Sequence, residues 1–426
     1  MNRRDVSDVL RCELVMAMGC TEPAACALAG AKAATLLEGW PTSVVVRTTR
    51  DVVKNAMGVS IPGFHKKGVG AAVALGVAVR DVSRGLDILS CLTEEQKRTA
   101  DGLSVDVRLV EETVPLYIRV ELTGMGHSSV AVVSGSHTNF SYLECDGRVL
   151  REESEIVPER EGVDLSWMTV GDVIAYAASM PKEIETLLLD AASTNLKIAR
   201  QSLSGPYGLA VGKTLMKDLH EPPENLQEAL DVGAALAAGG SDARMAGCQM
   251  PVVVNSGSGN QGLVLTVPLA VIAGYLKKCP TETAEALCMA ELVGLVLTSY
   301  KGRLSAQCGA FTAAIGMGCG LAWLQGGDEA ALERVIQNMV GDLAGVICDG
   351  AKMTCALKIH SCVQSAYLAS KLALQGIAPT PECGIIGEDA KKTMGNLSRL
   401  THGGMEPTDR TILSIMMGKQ AENGDG

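Results

Sequence analysis

The chain lacks most of the short signatures that announce a function. None of its 14 cysteines sits in a Cys-x-x-Cys pair, so zinc ribbons and thioredoxin-type redox motifs lose their usual support. There is no G-x-x-x-x-G-K-[ST] loop, no H-E-x-x-H and no G-x-S-x-G. Aromatic residues make up only 3%, which argues against a stacking platform for exposed bases. Positive charge is not in surplus: the net charge is -11, the wrong sign for nucleic acid or an anionic membrane. Long apolar runs are missing too. The first residues, Met1 to Asp8, have no hydrophobic stretch after Arg3-Arg4 and do not read as a signal peptide. The longest apolar window, about 262–276, is too short to span a bilayer and contains Pro268. The expectation is a cytoplasmic protein with no membrane or nucleic-acid partner. There the cysteines are not a disulfide framework, and most are buried small apolar residues.

What is present is a 426-residue chain with 47 glycines and a 47% hydrophobic fraction, enough for two domains with sizeable cores. Apolar spacing predicts a helix over Val6–Met18. After Gly19-Cys20-Thr21-Glu22-Pro23 the run Ala24–Leu37 reads as a buried helix, capped by Thr21 or Glu22 with Pro23 in its first turn. Cys20 then lies just outside a helix N-terminus, where a thiol loses its proton more easily. The alternative is a buried cysteine in a turn between helices. Alternation and β-branched runs predict strands over Val44–Thr48, Ser104–Leu109, Leu116–Leu122 and Ser128–Val133. Helices are expected over Val69–Val82 and Thr93–Ala100. The charged stretch Arg151–Val163 reads as a linker. From Asp172 onward the pattern is helical with no fixed repeat.

The fold class expected is α+β: a small α/β domain inserted after an N-terminal helical segment, followed by a large irregular all-α domain. The boundaries are 1–40 for the N-terminal helices, packing on the C-terminal domain, then 41–165 for the α/β domain and 166–426 for the helical catalytic domain.

Gly257-Ser258-Gly259-Asn260-Gln261-Gly262 matches G-x-G-x-x-G, but no second strand follows it, so a dinucleotide site is disfavoured. The loop Asn255–Asn260 instead suits an anion such as a substrate carboxylate, unless it is a plain glycine turn. The six histidines show no ligand spacing; only His137, in Gly135-Ser136-His137-Thr138-Asn139 after a strand, has site-like neighbours. Cys348 and Cys355 flank Asp349-Gly350. A continuous helix would set the two sulfurs two turns apart on one face, whereas a turn at Asp349-Gly350 would fold Cys348 back toward Cys355.

Taken in order, Gly19-Cys20-Thr21-Glu22-Pro23, Lys54-Asn55, Gly135-x-His137-Thr138-Asn139 and Ser241-Asp242-Ala243-Arg244-Met245 resemble the L-cysteine desulfidase family. So do Asn255–Gly262, Arg303-Leu304-Ser305-Ala306-x-Cys308 and Cys348-Asp349-Gly350-Ala351-x-x-x-Cys355. That family is related to the iron–sulfur L-serine dehydratases, and the resemblance covers nearly the whole chain. It implies a [4Fe-4S] enzyme that splits L-cysteine to pyruvate, ammonia and sulfide without pyridoxal phosphate. It maps the cluster ligands onto Cys308, Cys348 and Cys355 and a proton-accepting role onto Cys20. Asn255, Ser256, Ser258, Asn260, His137 and Asn139 are the expected substrate-binding residues. Cys362 continues the seven-residue spacing but is assigned to the core. The alternatives are an L-serine dehydratase or related β-substituted amino-acid lyase, a non-catalytic cluster- or amino-acid-binding protein and, more weakly, a pyridoxal-type lyase using Lys54. A small amino acid is the expected partner, and self-association stays open.

Overall fold

The computed structural model describes residues 5–19, 21–111, 116–153, 164–303 and 305–423. It is α+β, as the sequence implies. The first half runs α1 (Val6–Glu13), β1 (Met16–Ala17), α2 (Thr21–Leu36), β2 (Ser43–Thr48), α3 (Arg50–Ala56), α4 (Gly68–Val79) and α5 (Glu94–Asp101). It continues through β3 (Asp106–Leu109), β4 (Tyr117–Gly124), β5 (His127–Ser134), β6 (Phe140–Cys145) and β7 (Arg148–Glu152). The second half holds α6 (Val170–Ala178), α7 (Lys182–Gln201), α8 (Val211–Leu215), α9 (Leu226–Met245), β8 (Val252–Val253), α10 (Gly259–Tyr275) and α11 (Pro280–Lys301). It closes with α12 (Gly309–Leu324), α13 (Glu329–Leu343), α14 (Cys355–Leu374), α15 (Ala390–Arg399) and α16 (Glu406–Asn423).

Six of the strands form one sheet in the order β3-β2-β4-β5-β6-β7, and β1 and β8 form a two-stranded one. Only β2 and β3 pair in parallel. Along β4, Ile118, Val120 and Leu122 are buried while Tyr117, Arg119 and Glu121 are only partly so, the period-two pattern of a sheet covered on one face. The cover is α2 and α4. Both are rich in alanine and glycine and cross with their backbones almost touching. A Cβ added at Gly30 would lie 2.6 Å from the Val73 carbonyl oxygen, and one at Gly76 would overlap the Ala27 carbonyl.

Three stretches depart from the sequence reading. The helix expected over Val6–Met18 ends at Glu13, and Met16–Ala17 pair as β1 instead. Residues 140–152 form a β6–β7 hairpin that extends the sheet into the start of the expected linker; residues 154–163 lie outside the described chain. Lys54-Asn55, read as a polar island, lies in the short helix α3. Its turns are stabilised by tertiary contacts that polar side chains alone do not announce.

Hydrophobic burial forms two clusters. The smaller contains α2, α4 and the sheet. The larger is built from α7, α9, α10, α11, α12, α13 and α14. The N-terminal segment is shared: Val9 and Leu10 of α1 join the helical cluster, whereas the buried face of α2 joins the other. Between them β1 pairs antiparallel with β8, Met16 opposite Val253. The C-terminal helix α16 returns to the smaller cluster through Leu413. One expectation is corrected. α11 spans 22 residues and is long and apolar enough to cross a membrane by length and composition. Its apolar stretch is mostly buried, from Ala284 to Thr298, against its neighbouring helices.

Candidate active site at the junction of the two cores

Two thiols, Cys308 and Cys348, meet where short stretches of chain pair, and a third, Cys355, follows on the same loop. The peptide N–H of Cys308 donates to Val346 O at 2.9 Å and that of Cys348 to Ala306 O at 2.6 Å, around an antiparallel bridge between Gln307 and Ile347. Forty residues of sequence are thereby closed. Cys308 is the N-cap of α12 and Cys355 the first residue of α14, so two helix N-termini face the sulfurs and favour thiolate over thiol. Gly350 takes φ +83°, the left-handed turn that lets the chain double back between Cys348 and Cys355. The turn reading is the correct one. Cys355 Sγ accepts from the Lys352 N–H at 3.4 Å and donates to Gly350 O at 3.7 Å.

The electrostatics favour a thiolate at one of the three, Cys348. A hydrogen bond from the Cys308 thiol, with help from Lys54, the Gly350 N–H and Lys301, brings Cys348 down to about 6 against the opposing effect of burial. The same hydrogen bond and burial push Cys308 well up. Burial also raises Cys355, opposed by the Lys352 N–H and by Lys358. Lys54 and Lys301 are each only 2% exposed. Lys358 pairs with Asp349. Thirteen described cysteines are free of disulfides. Among the described residues, the three-residue group whose ligand atoms all fall within 4.8 Å of one another is His220, Glu224 and Glu228, and the three thiols are spread wider. The sequence spacing gave no hint of that histidine group. It is held as a cap, with Glu228 accepting from the backbone N–H of His220 at 2.8 Å and of Glu224 at 2.6 Å.

The 255–260 loop is a tight turn that starts α10. Ser256 (φ +52°) and Gly257 (φ +75°) turn the chain, and Ser258 caps the helix by accepting from Gln261 N at 3.4 Å. Two of its side chains face inward. The Asn255 amide donates to Glu291 Oε2 at 2.6 Å, and the Ser256 hydroxyl lies 2.8 Å from Asn255 Oδ1 and 3.1 Å from Thr298 Oγ1. Burial in α11 raises Glu291 to about 8, opposed by the Asn255 hydrogen bond. Asn260 Oδ1 accepts from Arg244 at 3.1 Å, and the same guanidinium donates to Gly19 O at 3.0 Å. Gln261 completes the link to the thiols. Gly309, beside Cys308, packs on it so closely that a Cβ would lie 2.9 Å from Gln261 Cδ, and Gln261 Oε1 is buried with no partner.

Several motifs of the sequence meet in space, the His137–Asn139 turn excepted, whose Asn139 hydrogen bonds go to Ser134 and Glu153. Glu22 accepts from the Asn55 amide at 2.9 Å, tying the start of α2 to α3. Lys352 Nζ donates to Lys54 O at 2.9 Å, tying α3 to the thiol loop. Cys20 itself lies outside the described residues, but Gly19 and Thr21 on either side of it are placed at this junction. His137 and Asn139 occupy the β5–β6 turn, where Asn139 holds Ser134 O at 3.3 Å and Glu153 Oε2 at 2.8 Å. The sequence reading passed over Arg244 and Gln261 as individual groups because nothing in their spacing shows which loops they join. Lys301 and Glu291 gave a weaker signal that was available: single charges inside long apolar helices.

Residues 83–414 match the family model described as "Serine dehydratase alpha chain". A protein from Oleidesulfovibrio alaskensis bearing the name "UPF0597 protein" is 38% identical over 419 residues, 97% of each chain. One of the same name from Clostridium perfringens is 36% identical over 97% of this chain and 98% of its own. A third, from Bacteroides fragilis, is 37% identical over 98% of both. With Cys308, Cys348 and Cys355 inside the matched range, and relatives that run over nearly the whole chain, the chain belongs to the serine dehydratase alpha chain family.

Proposed function

We propose that this chain is a cytoplasmic lyase that eliminates the β-substituent of L-cysteine, giving pyruvate, ammonia and sulfide, with a [4Fe-4S] cluster on Cys308, Cys348 and Cys355. One observation supports the reading: Cys308 hydrogen-bonds Cys348, Cys355 lies on the same loop, and Lys54, Lys301 and Lys358 act on these sulfurs. A single tetrahedral ion with sulfur at 2.3 Å needs its thiolates about 3.8 Å apart, closer than the spread of these three. A polynuclear group fits them better. When bound, such a cluster supplies one iron without a protein ligand, a Lewis acid for the substrate carboxylate.

The remaining steps fall to the chain's own residues. The Asn255–Asn260 turn and the Arg244 guanidinium orient the amino acid. Cys20, as a thiolate beside the N-terminus of α2, takes the Cα proton. The electron pair left on Cα forms the Cα=Cβ bond as the Cβ–S bond breaks and sulfide departs. The resulting aminoacrylate tautomerises and adds water, releasing pyruvate and ammonia. L-Serine, losing hydroxide in place of sulfide, is the second reading, favoured by the description of the family model.

Anaerobic purification with iron and acid-labile sulfide counted, followed by pyruvate release from L-cysteine and L-serine side by side, tests this. About four irons per chain and faster turnover of L-cysteine are expected. A chain with no iron, or one that turns over only L-serine, overturns the corresponding half. Cys348→Ala is expected to lose the cluster. Cys20→Ala is expected to keep it and lose turnover.

A further inference from the structure

The C-terminal helix reaches the thiol site through one ion pair. Asp409 of α16, 5% exposed, accepts from Lys54 Nζ at 2.6 Å. Lys54 belongs to α3, in the other part of the fold, and its main chain lies against the thiol loop. Its carbonyl oxygen accepts from Lys352 Nζ at 2.9 Å, and Gly350 sits so close that a Cβ there would overlap that oxygen. Two further charges complete the group: Arg50 Nε is 3.8 Å from Asp409 Oδ2, and Asp51 Oδ1 is 3.9 Å from Lys54 Nζ. Lys54 and Asp409 are thus held out of water, with Asp51 and the more exposed Arg50 against them, and of these Lys54 acts on Cys348. A buried ion pair is a poor way to gain stability, because desolvation offsets most of its Coulomb attraction. Its location, against a loop that carries two thiols, points to a role in the site.

We infer that Lys54 and Asp409 are positioning residues that set the electrostatic potential at the group held by Cys308, Cys348 and Cys355. Lys54 supplies positive potential, and Asp409, brought in by α16, partly cancels it. The inference rests on the proposed cluster. A cluster gains negative charge when it takes up an electron, so nearby positive charge favours reduction. Replacing Lys54 by a neutral residue leaves Asp409 and Asp51 facing Arg50 alone and disfavours reduction. Neutralising Asp409 frees the lysine charge and favours it. The two changes have opposite signs, whereas simple loosening of the contact between α3 and α16 would act alike in both.

The test uses the full chain, reconstituted anaerobically, with iron and labile sulfide counted and the cluster absorbance titrated with dithionite and mediators. Lys54→Met is expected to lower the reduction equilibrium constant about tenfold, which is about 59 mV for one electron. Asp409→Asn is expected to raise it by a comparable factor, and Lys54→Arg to stay within about threefold of the parent. Shifts in the same direction for Lys54→Met and Asp409→Asn, or an Asp409→Asn constant within threefold of the parent, overturn the inference while leaving the cluster in place. If Lys54→Met fails to fold or load, the sign of Asp409→Asn decides. A parent chain without iron and sulfide overturns the cluster reading, and the inference falls with it.

Discussion

Glu291→Gln is expected to make the protein more stable, and increasingly so as pH rises. Glu291 lies in the middle of α11, 1% exposed, with its Oε2 accepting from the Asn255 amide. Burial raises its pKa from 4.5 to about 8. A carboxyl group raised in the folded state binds a proton that the unfolded chain releases, so its contribution is complete below 4.5 and is lost as pH rises through 8. At 1.36 kcal/mol per unit, that shift is about 5 kcal/mol in full, of which about 3 kcal/mol falls between pH 5.5 and 8.5. Glutamine keeps the carbonyl that Asn255 uses and has no proton to lose, so the variant lacks this slope. Urea unfolding of parent and variant at the two pH values, under reductant and without iron, gives the difference. A parent–variant gap that widens toward pH 8.5 by about 3 kcal/mol is the expected outcome. A gap that changes by less than 1 kcal/mol would refute the claim that Glu291 is folded in its protonated form.

Gly76→Ala is expected to lower the melting temperature, because the new methyl group meets the Ala27 carbonyl and pushes α2 off α4, an overpacking cost of about 1–3 kcal/mol. Gly274→Ala in α10 has nothing within 4 Å of the added carbon and serves as the control, unchanged or slightly stabilised in the same melt. Gly350→Ala combines a left-handed backbone, about 1–2 kcal/mol for an L residue, with overlap onto Lys54 O. It is expected to leave the far-ultraviolet dichroism intact and to reduce bound iron, counted after reconstitution.

Some of this architecture was legible because the pattern is local. β2 and β4 alternate, β5 is a short β-branched run buried from Ser129 to Ser134, and α2 is an unbroken alanine-rich run, so each was placed to within a few residues. The β6–β7 hairpin was legible too and was missed. Asp146-Gly147, both at positive φ, is the dipeptide that a tight hairpin prefers, and Phe140–Cys145 alternates. The charges at Arg151 to Glu153 masked an edge strand whose side chains are exposed. Other features have no local signal. The return of α16 to the smaller core rests on Leu413 and Asp409, and neither can be told from a surface helix residue by period. The meeting of Cys308 with Cys348 depends on two short segments pairing across forty residues, which only the packing of α12, α13 and α14 brings about.

Lys301 gives a physical reason to read one of the thiols, Cys348, as charged. Its ammonium is buried at the end of α11 and donates to Gly302 O at 3.0 Å. Burial pulls its pKa down, Lys54 and Arg303 act in the same direction, and the groups that hold it up are the sulfurs of Cys348 and Cys308. An ammonium group taken out of water costs several kcal/mol unless an anion faces it, and a neutral thiol is a weak acceptor. Two neutral thiols would leave Lys301 poorly compensated, and a leucine would serve that position better. One thiolate, at Cys348, accepting from the Cys308 thiol, makes the lysine favourable, so the placement of Lys301 argues for a charge on that sulfur through a residue that does not itself carry the chemistry.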